Sequence, residues 1–312
     1  MGNCCNRTPL EEELQKTPGA IRDVNQPQTR PAENKQDTSS YPPAVNAKVI
    51  DVSSPESEKH GPKFALHVQY MNPVAPDAKK KLDALGTFDW SNMPVRKDIQ
   101  TVELGPYRYP NGDTYKGHYY CGLRQGPGTM VTSNGAVYEG FWDNDRGSGR
   151  VRLVSPDGTI YTGEWANDQI NGQGKELDPE GSEYVGQFVN GLKQGKGTFK
   201  KPQGETYEGE FFRDLYHGKG KITLKNGSTY DGQWKGGQMH GLGTYIWSNG
   251  HKFTGNYAHG IRDGYGEFYW PDGSAYKGGW SHGDQDGESQ FTETDGSIKT
   301  GIWTKGEFVK WL

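Results

Sequence analysis

A strict period of 23 residues governs this sequence from Gly105 onward. Tyr115, Tyr138, Tyr161, Tyr184, Tyr207, Tyr230, Phe253 and Tyr276 stand 23 positions apart, with no insertion or deletion between them. Two residues after each comes a glycine, from Gly117 and Gly140 through to Gly278. Two further on comes a second aromatic: Tyr119, Trp142, Trp165, Phe188, Phe211, Trp234, Tyr257 and Trp280. A ninth, truncated copy keeps Gly301 and Trp303 but has Lys299 in the tyrosine place. Within each copy the period is two, which puts Tyr138, Gly140 and Trp142 on one face of a β-strand. A glycine between two aromatics leaves space for a ring to lie across the backbone.

Later in each copy a Gly-x-Gly recurs, as in Gly126/Gly128, Gly195/Gly197 and Gly218/Gly220. Val151 replaces the second glycine of the second copy and Ser289 that of the eighth. Each copy closes on a glycine preceded mostly by Asn or Asp, as in Asn134-Gly135, Asn226-Gly227 and Asp272-Gly273. These pairs predict type I′ hairpin turns, whose two central residues need positive φ. The Gly-x-Gly segments lie on strands, with no strand-to-helix turn and lysine, so they do not read as phosphate loops.

Tyr-x-Gly-x-Trp/Phe followed by Gly-x-Gly resembles the MORN repeat (membrane occupation and recognition nexus), over about two thirds of the chain. The resemblance implies an all-β fold: an elongated, single-layer, twisted antiparallel sheet of tandem 23-residue β-hairpins. Residues 105–312 then form the array, made of a half repeat, eight full repeats and a truncated C-terminal cap. Terminal repeats of such arrays are usually atypical. The aromatics Tyr119, Trp142, Trp165, Phe188, Phe211, Trp234, Tyr257, Trp280 and Trp303 have two compatible readings. They are the only core that so thin a fold possesses, and part of the column is a groove for a partner. The resemblance implies a protein-binding scaffold, with cytoskeletal or membrane-associated proteins as partners, and self-association as a homodimer through the C-terminal end. Phe308, Val309, Trp311 and Leu312 read as a capping strand there, or as the docking surface of that dimer.

Composition shifts near residue 100. Of 46 glycines only Gly2, Gly19, Gly61 and Gly86 precede it, whereas 11 of 18 prolines do. Residues 1–62 are polar and proline-rich and predict a disordered tether. Residues 63–104 predict a partly ordered linker and N-terminal cap. Pro76 and Gly86 bracket a short helix near 76–85, whose Lys79, Lys80 and Lys81 read as a solvated face. Phe88 and Trp90 are expected to pack on the first hairpin. The net charge of −4 shows no basic excess, so nucleic acid is not an expected partner.

The chain opens Met-Gly-Asn-Cys-Cys. Gly2 is a candidate for N-myristoylation, and Cys4 and Cys5 for palmitoylation. One myristoyl chain binds a membrane only marginally, and the adjacent cysteines supply the required second signal. Asn6 departs from the usual motif, which has Ser or Thr there. Cys121, the one remaining cysteine, reads as a surface residue, so a reducing compartment is expected. His217, His240, His259 and His282 read as exposed turn residues. No catalytic constellation, cofactor or metal is expected, and nine residues after Trp303 leave no place for a catalytic domain.

Three functions fit. The first is a non-catalytic scaffold tethered to the cytoplasmic side of a membrane (plasma membrane, cortex or cilium) and linking it to the cytoskeleton. The second is a structural subunit of a ciliary or other cytoskeletal assembly without a lipid role. The third is a regulatory subunit that positions a membrane enzyme.

Overall fold

The computed structural model describes residues 66–91 and 99–312. The lipidation candidates Gly2, Cys4 and Cys5 and the tether 1–62 lie outside them. The described residues divide into two compact units, which meet in sequence between Leu192 and Lys193.

The first unit contains β1 (Leu66–His67), α1 (Pro76–Leu85), β2 (Val102–Arg108), β3 (Thr114–Tyr120), β4 (Leu123–Val131), β5 (Val137–Asp143), β6 (Arg146–Val154), β7 (Ile160–Ala166), β8 (Gln169–Leu177) and β9 (Glu183–Val189). From β2 on, each strand pairs antiparallel with the next, and β1 adds two residues to the free edge of β2. The second unit holds β10 (Leu192–Lys200), β11 (Thr206–Phe212), β12 (Leu215–Thr223), β13 (Thr229–Lys235), β14 (Gln238–Ile246), β15 (Lys252–Ala258), β16 (Ile261–Tyr269), β17 (Ala275–Ser281), β18 (Asp284–Thr292), β19 (Ile298–Thr304) and β20 (Glu307–Trp311). It too is an open antiparallel sheet in which every strand pairs with its chain neighbour.

The two kinds of joint differ from the expected turn chemistry. At Asn226-Gly227 only the glycine has positive φ, +87°. Gly227 N–H donates to Leu224 O, and Leu224 N–H donates to Ser228 O. This is a type I turn closed by a glycine bulge, not a type I′ turn. The same pair of bonds recurs at the other Asn-Gly and Asp-Gly joints. The type I′ geometry lies at the opposite end of the strands, where both residues of each two-residue loop have positive φ: Cys121-Gly122, Asn144-Asp145, Asn167-Asp168 and Arg213-Asp214 among them. Tertiary bonds hold these residues there. Asp145, Asp168 and Asp214 each donate a backbone N–H to the preceding copy (Arg124 O, Gly147 O and Lys193 O) and accept that residue's N–H on the carboxylate, at 2.6–2.8 Å.

In the first unit, Met71–Trp90 runs as a strap over the face opposite the aromatic column. Asn72 donates to Gly112 O and Val131 O, and Ala75 N–H donates to Gly135 O. Helix α1 starts at Pro76, lacks a side-chain N-cap bond, and ends where Gly86 donates to Leu82 O at φ +70°. It buries Ala78 against Val154 and Ile160, with Val74, Leu82 and Leu177 around them. Phe88 packs on Phe141 of β5, one copy beyond the first hairpin. Trp90 stands edge-on to Phe88. The strap has a seat because this stretch of sheet carries Val131, Val137, Phe141, Val154 and Ile160 on its second face, all buried.

Candidate partner-binding face

The two glycines of Gly-x-Gly do different work. In the β11–β12 pair, Gly209 faces Gly220 but Glu210 faces His217, so Gly218 and Lys219 are extra residues in a β-bulge. Gly218 takes φ +55° to form it. Beside the bulge, Tyr207 Oη donates to the Glu210 carbonyl at 2.9 Å. The second glycine is the floor under that ring. A Cβ on Gly220 would stand 2.2 Å from Tyr207 Oη and 2.5 Å from its Cζ. The same hydroxyl-to-carbonyl bond recurs from Tyr161, Tyr184, Tyr230 and Tyr276. Phe253 fills the equivalent place with no hydroxyl and is equally buried. Tyr161→Phe is therefore expected to cost only about 1 kcal/mol, the net value of one hydrogen bond, with no change of fold; urea unfolding followed by tryptophan fluorescence measures it.

Within each unit, tyrosines also meet the second aromatic of the following copy edge-on. Ring centroids are 5.3 Å apart for Tyr115–Trp142, 5.2 Å for Tyr161–Phe188, 5.4 Å for Tyr207–Trp234 and 5.3 Å for Tyr276–Trp303. Such contacts contribute about 0.5–1.5 kcal/mol each beyond burial. Tyr119, Trp142, Phe188, Phe211, Trp234, Tyr257, Trp280 and Trp303 are all buried, and Trp165 is half-buried.

The two departures from the glycine pattern have different outcomes. In copy eight, Ser289 Oγ shares a 2.6 Å hydrogen bond with Tyr276 Oη, and Tyr276 stays fully buried. In copy two, Val151 has no such bond to offer and is itself buried, and Tyr138 is half-buried. At the C-terminal end Lys299 stands in the tyrosine place, and the rings of Trp303 and of Trp311 on β20 lie over Gly301: a Cβ there would stand 2.9 Å from each. Phe308, Val309, Trp311 and Leu312 are all exposed.

His259 and His282 are turn residues with φ +52° and +53°, whereas His217 and His240 lie on β12 and β14. Cys121 is an exposed free thiol in a type I′ turn. Among the described residues no group of three or more His, Cys, Asp or Glu is placed to hold a metal, and no helix is long and apolar enough to cross a membrane.

Six segments match the model of the MORN repeat: residues 115–137, 161–183, 184–206, 207–229, 230–252 and 253–275. The two copies passed over, 138–160 and 276–298, are those with Val151 and Ser289 in place of the second glycine. Those six segments are repeats of the MORN type. No curated protein matches the sequence. Among solved structures it is similar to the TCP10 domain of Danio rerio CPAP, with 13% identity over 68% of this chain and 99% of that one, at a TM-score of 0.38. It is also similar to the CPAP G-box domain (15% identity, 66% of this chain and 100% of that one, TM-score 0.37). A third is the Drosophila melanogaster SAS-4 TCP domain, in complex with a proline-rich motif of Ana2 (11% identity, 57% and 85%, TM-score 0.30).

Proposed function

We propose that this protein is a non-catalytic, protein-binding scaffold held at the cytoplasmic side of a membrane by lipids on Gly2, Cys4 and Cys5, where its repeat array links membrane to cytoskeletal proteins. The array supports the scaffold half of this reading. The positions that recur in every copy serve ring packing, bulges and turns, while the positions between them vary from copy to copy and are free to carry recognition. The observation behind the membrane half is the Met-Gly-Asn-Cys-Cys start, in a chain with only one other cysteine. Two acyl signals turn a marginal, reversible attachment into a stable one. The mixed, slightly acidic charge of the chain gives the repeats little attraction for anionic lipid, so the anchor carries the membrane affinity.

Metabolic labelling with alkyne analogues of myristate and palmitate tests this directly. Wild type is expected to take up both labels and to sediment with membranes. Gly2→Ala is expected to lose both labels and move to the soluble fraction with its fold intact. Cys4→Ala/Cys5→Ala is expected to keep myristate but lose stable binding. Wild type that takes up neither label refutes the anchor and leaves a structural subunit of a cytoskeletal assembly, which sediments with detergent-insoluble material whatever stands at position 2.

A further inference from the structure

Copy two lacks a side chain that two other copies use to cover the tryptophan of the copy that follows them. Arg124, at the start of β4, is buried with its Cζ 4.2 Å from the centre of the Trp142 ring and 5.8 Å from that of Tyr115. Its Nε donates to Asp145 Oδ1 at 3.1 Å, and a terminal nitrogen donates to Asp145 O. In the second unit, Arg262 holds the same repeat position. It lies 4.2 Å from the Trp280 ring and donates to Gly283 O at 2.7 Å. Trp142 and Trp280 are both only 5% exposed beneath these guanidinium groups.

Twenty-three residues after Arg124 the position belongs to Gly147, yet the rest of the arrangement is repeated. Trp165 stands for Trp142, Asp168 for Asp145 and Tyr138 for Tyr115. The backbone frame is the same. Asp168 N–H donates to Gly147 O at 3.1 Å and Gly147 N–H donates to Asp168 Oδ1 at 2.6 Å, just as Asp145 and Arg124 exchange bonds of 3.0 and 2.8 Å. A Cβ on Gly147 would point between the two partners, 3.0 Å from Trp165 Cε3 and 3.6 Å from Asp168 Oδ1. The Trp165 ring lies close against this glycine, which carries no side chain to cover the ring as Arg124 covers Trp142 one copy earlier. Trp165 is the one member of its column that is not buried. Burial raises the Asp168 carboxyl above its ordinary value, against the opposing hydrogen bond from Gly147 N–H and the charges of Arg124 and Arg146. Arg146 itself is exposed and pairs with Asp143, which alternates to the other face from Trp142 and Gly147.

We propose that the half-buried Trp165 ring and the Asp168 carboxylate, beside the side-chain-free Gly147, form a seat for an arginine side chain supplied by a partner protein. The guanidinium stacks on the indole and donates to the carboxylate, as Arg124 does within the chain. Lysine lacks the planar fork and makes the poorer guest. The inference rests on the reading of the array as a protein-binding scaffold and names the chemistry of one of its contacts.

The full chain labelled with 5-fluorotryptophan provides the test, the Trp165 resonance being identified by its loss in Trp165→Phe. Acetyl-Gly-Arg-Gly-amide is expected to shift that resonance saturably, with a Kd of roughly 1–10 mM for a single side chain. The lysine counterpart is expected to bind about tenfold more weakly. Asp168→Asn keeps an acceptor for Gly147 N–H but removes the charge, and is expected to weaken the arginine peptide about tenfold. Gly147→Arg is expected to shift the Trp165 resonance by itself and to abolish the titration. A Trp165 resonance that does not move, or moves equally with both peptides and regardless of Asp168→Asn, overturns the proposal. Asp168→Asn decides the matter even if Gly147→Arg fails to fold. The titration does not depend on position 2, so failure of the lipid anchor leaves it standing.

Discussion

Gly220→Ala is expected to destabilise the unit from Lys193 to Leu312 by about 3 kcal/mol, the upper end of what overpacking costs. Backbone strain contributes nothing, since Gly220 is outside the positive-φ set. The cost is steric. The new Cβ would lie within 2.2–2.7 Å of three atoms of Tyr207. That ring has nowhere to go: it is stacked on Tyr216 at 3.7 Å and held edge-on by Phe211 at 5.1 Å and Trp234 at 5.4 Å. Either Tyr207 leaves its fully buried place and gives up its bond to Glu210 O, or the strand pair opens.

The chain contains its own controls for this experiment. Copy eight has accepted Ser289 at the equivalent position and kept Tyr276 buried through the hydroxyl–hydroxyl bond. Copy two has accepted Val151 with Tyr138 only half-buried. Gly220→Ser is therefore expected to recover about 1 kcal/mol relative to Gly220→Ala through the new hydrogen bond, and Gly220→Val to be the worst of the three. Urea midpoints ranked serine, alanine, valine support the ring-floor account. Equal midpoints, or a loss for alanine under 1 kcal/mol, contradict it.

The same positions show how much the sequence discloses. The all-β array was legible because the Tyr-x-Gly-x-aromatic pattern answers to a strand period of two and repeats without indels. The space beneath each ring was legible for the same reason. The turns were not. Asn-Gly is the strongest local cue for a type I′ turn, but here a three-residue loop needs positive φ only at the glycine. The true type I′ pairs range from Asn190-Gly191, which carries the usual cue, to Arg213-Asp214, which carries none. At Asn144-Asp145, Asn167-Asp168 and Arg213-Asp214 bonds to the preceding copy hold the conformation, and these are invisible in a local reading. The strap's seat was hidden differently. Val137 and Ile160 look like ordinary strand residues, and only the polar character of the equivalent Thr206, Thr229 and Lys252 marks them as a buried second face. The arginine seat was hidden because Gly147 is one glycine among many. It becomes visible only when Arg124 is seen folded over Trp142.

Arg152→Ala is expected to release the strap. Arg152 and Glu139 are cross-strand partners on the second face, with an ion pair of 2.6 Å. Arg152 also donates to Gly86 O at 3.0 Å, just past the end of α1, and its Cζ lies 5.4 Å from the centre of the Phe88 ring. Breaking a buried pair by removing one partner costs about 3–5 kcal/mol, because the remaining charge is left without compensation. Glu139 keeps some solvent contact, 17% exposed, so the loss is expected near the lower limit, about 3 kcal/mol. It should appear as faster tryptic cleavage at Lys79, Lys80 and Lys81 and as lost hydrogen-exchange protection in α1, with β7 to β9 unchanged. Arg152→Met/Glu139→Leu separates the causes. Replacing both members of a buried pair by apolar groups is often neutral, so the double variant should recover most of the protection if the unpaired carboxylate is what expels the strap. A double variant as open to trypsin as the single one would assign the effect to the Gly86 bond and the Phe88 contact instead. Protection unchanged in Arg152→Ala would mean that Ala78, Leu82 and Phe88 hold the strap by apolar contact alone.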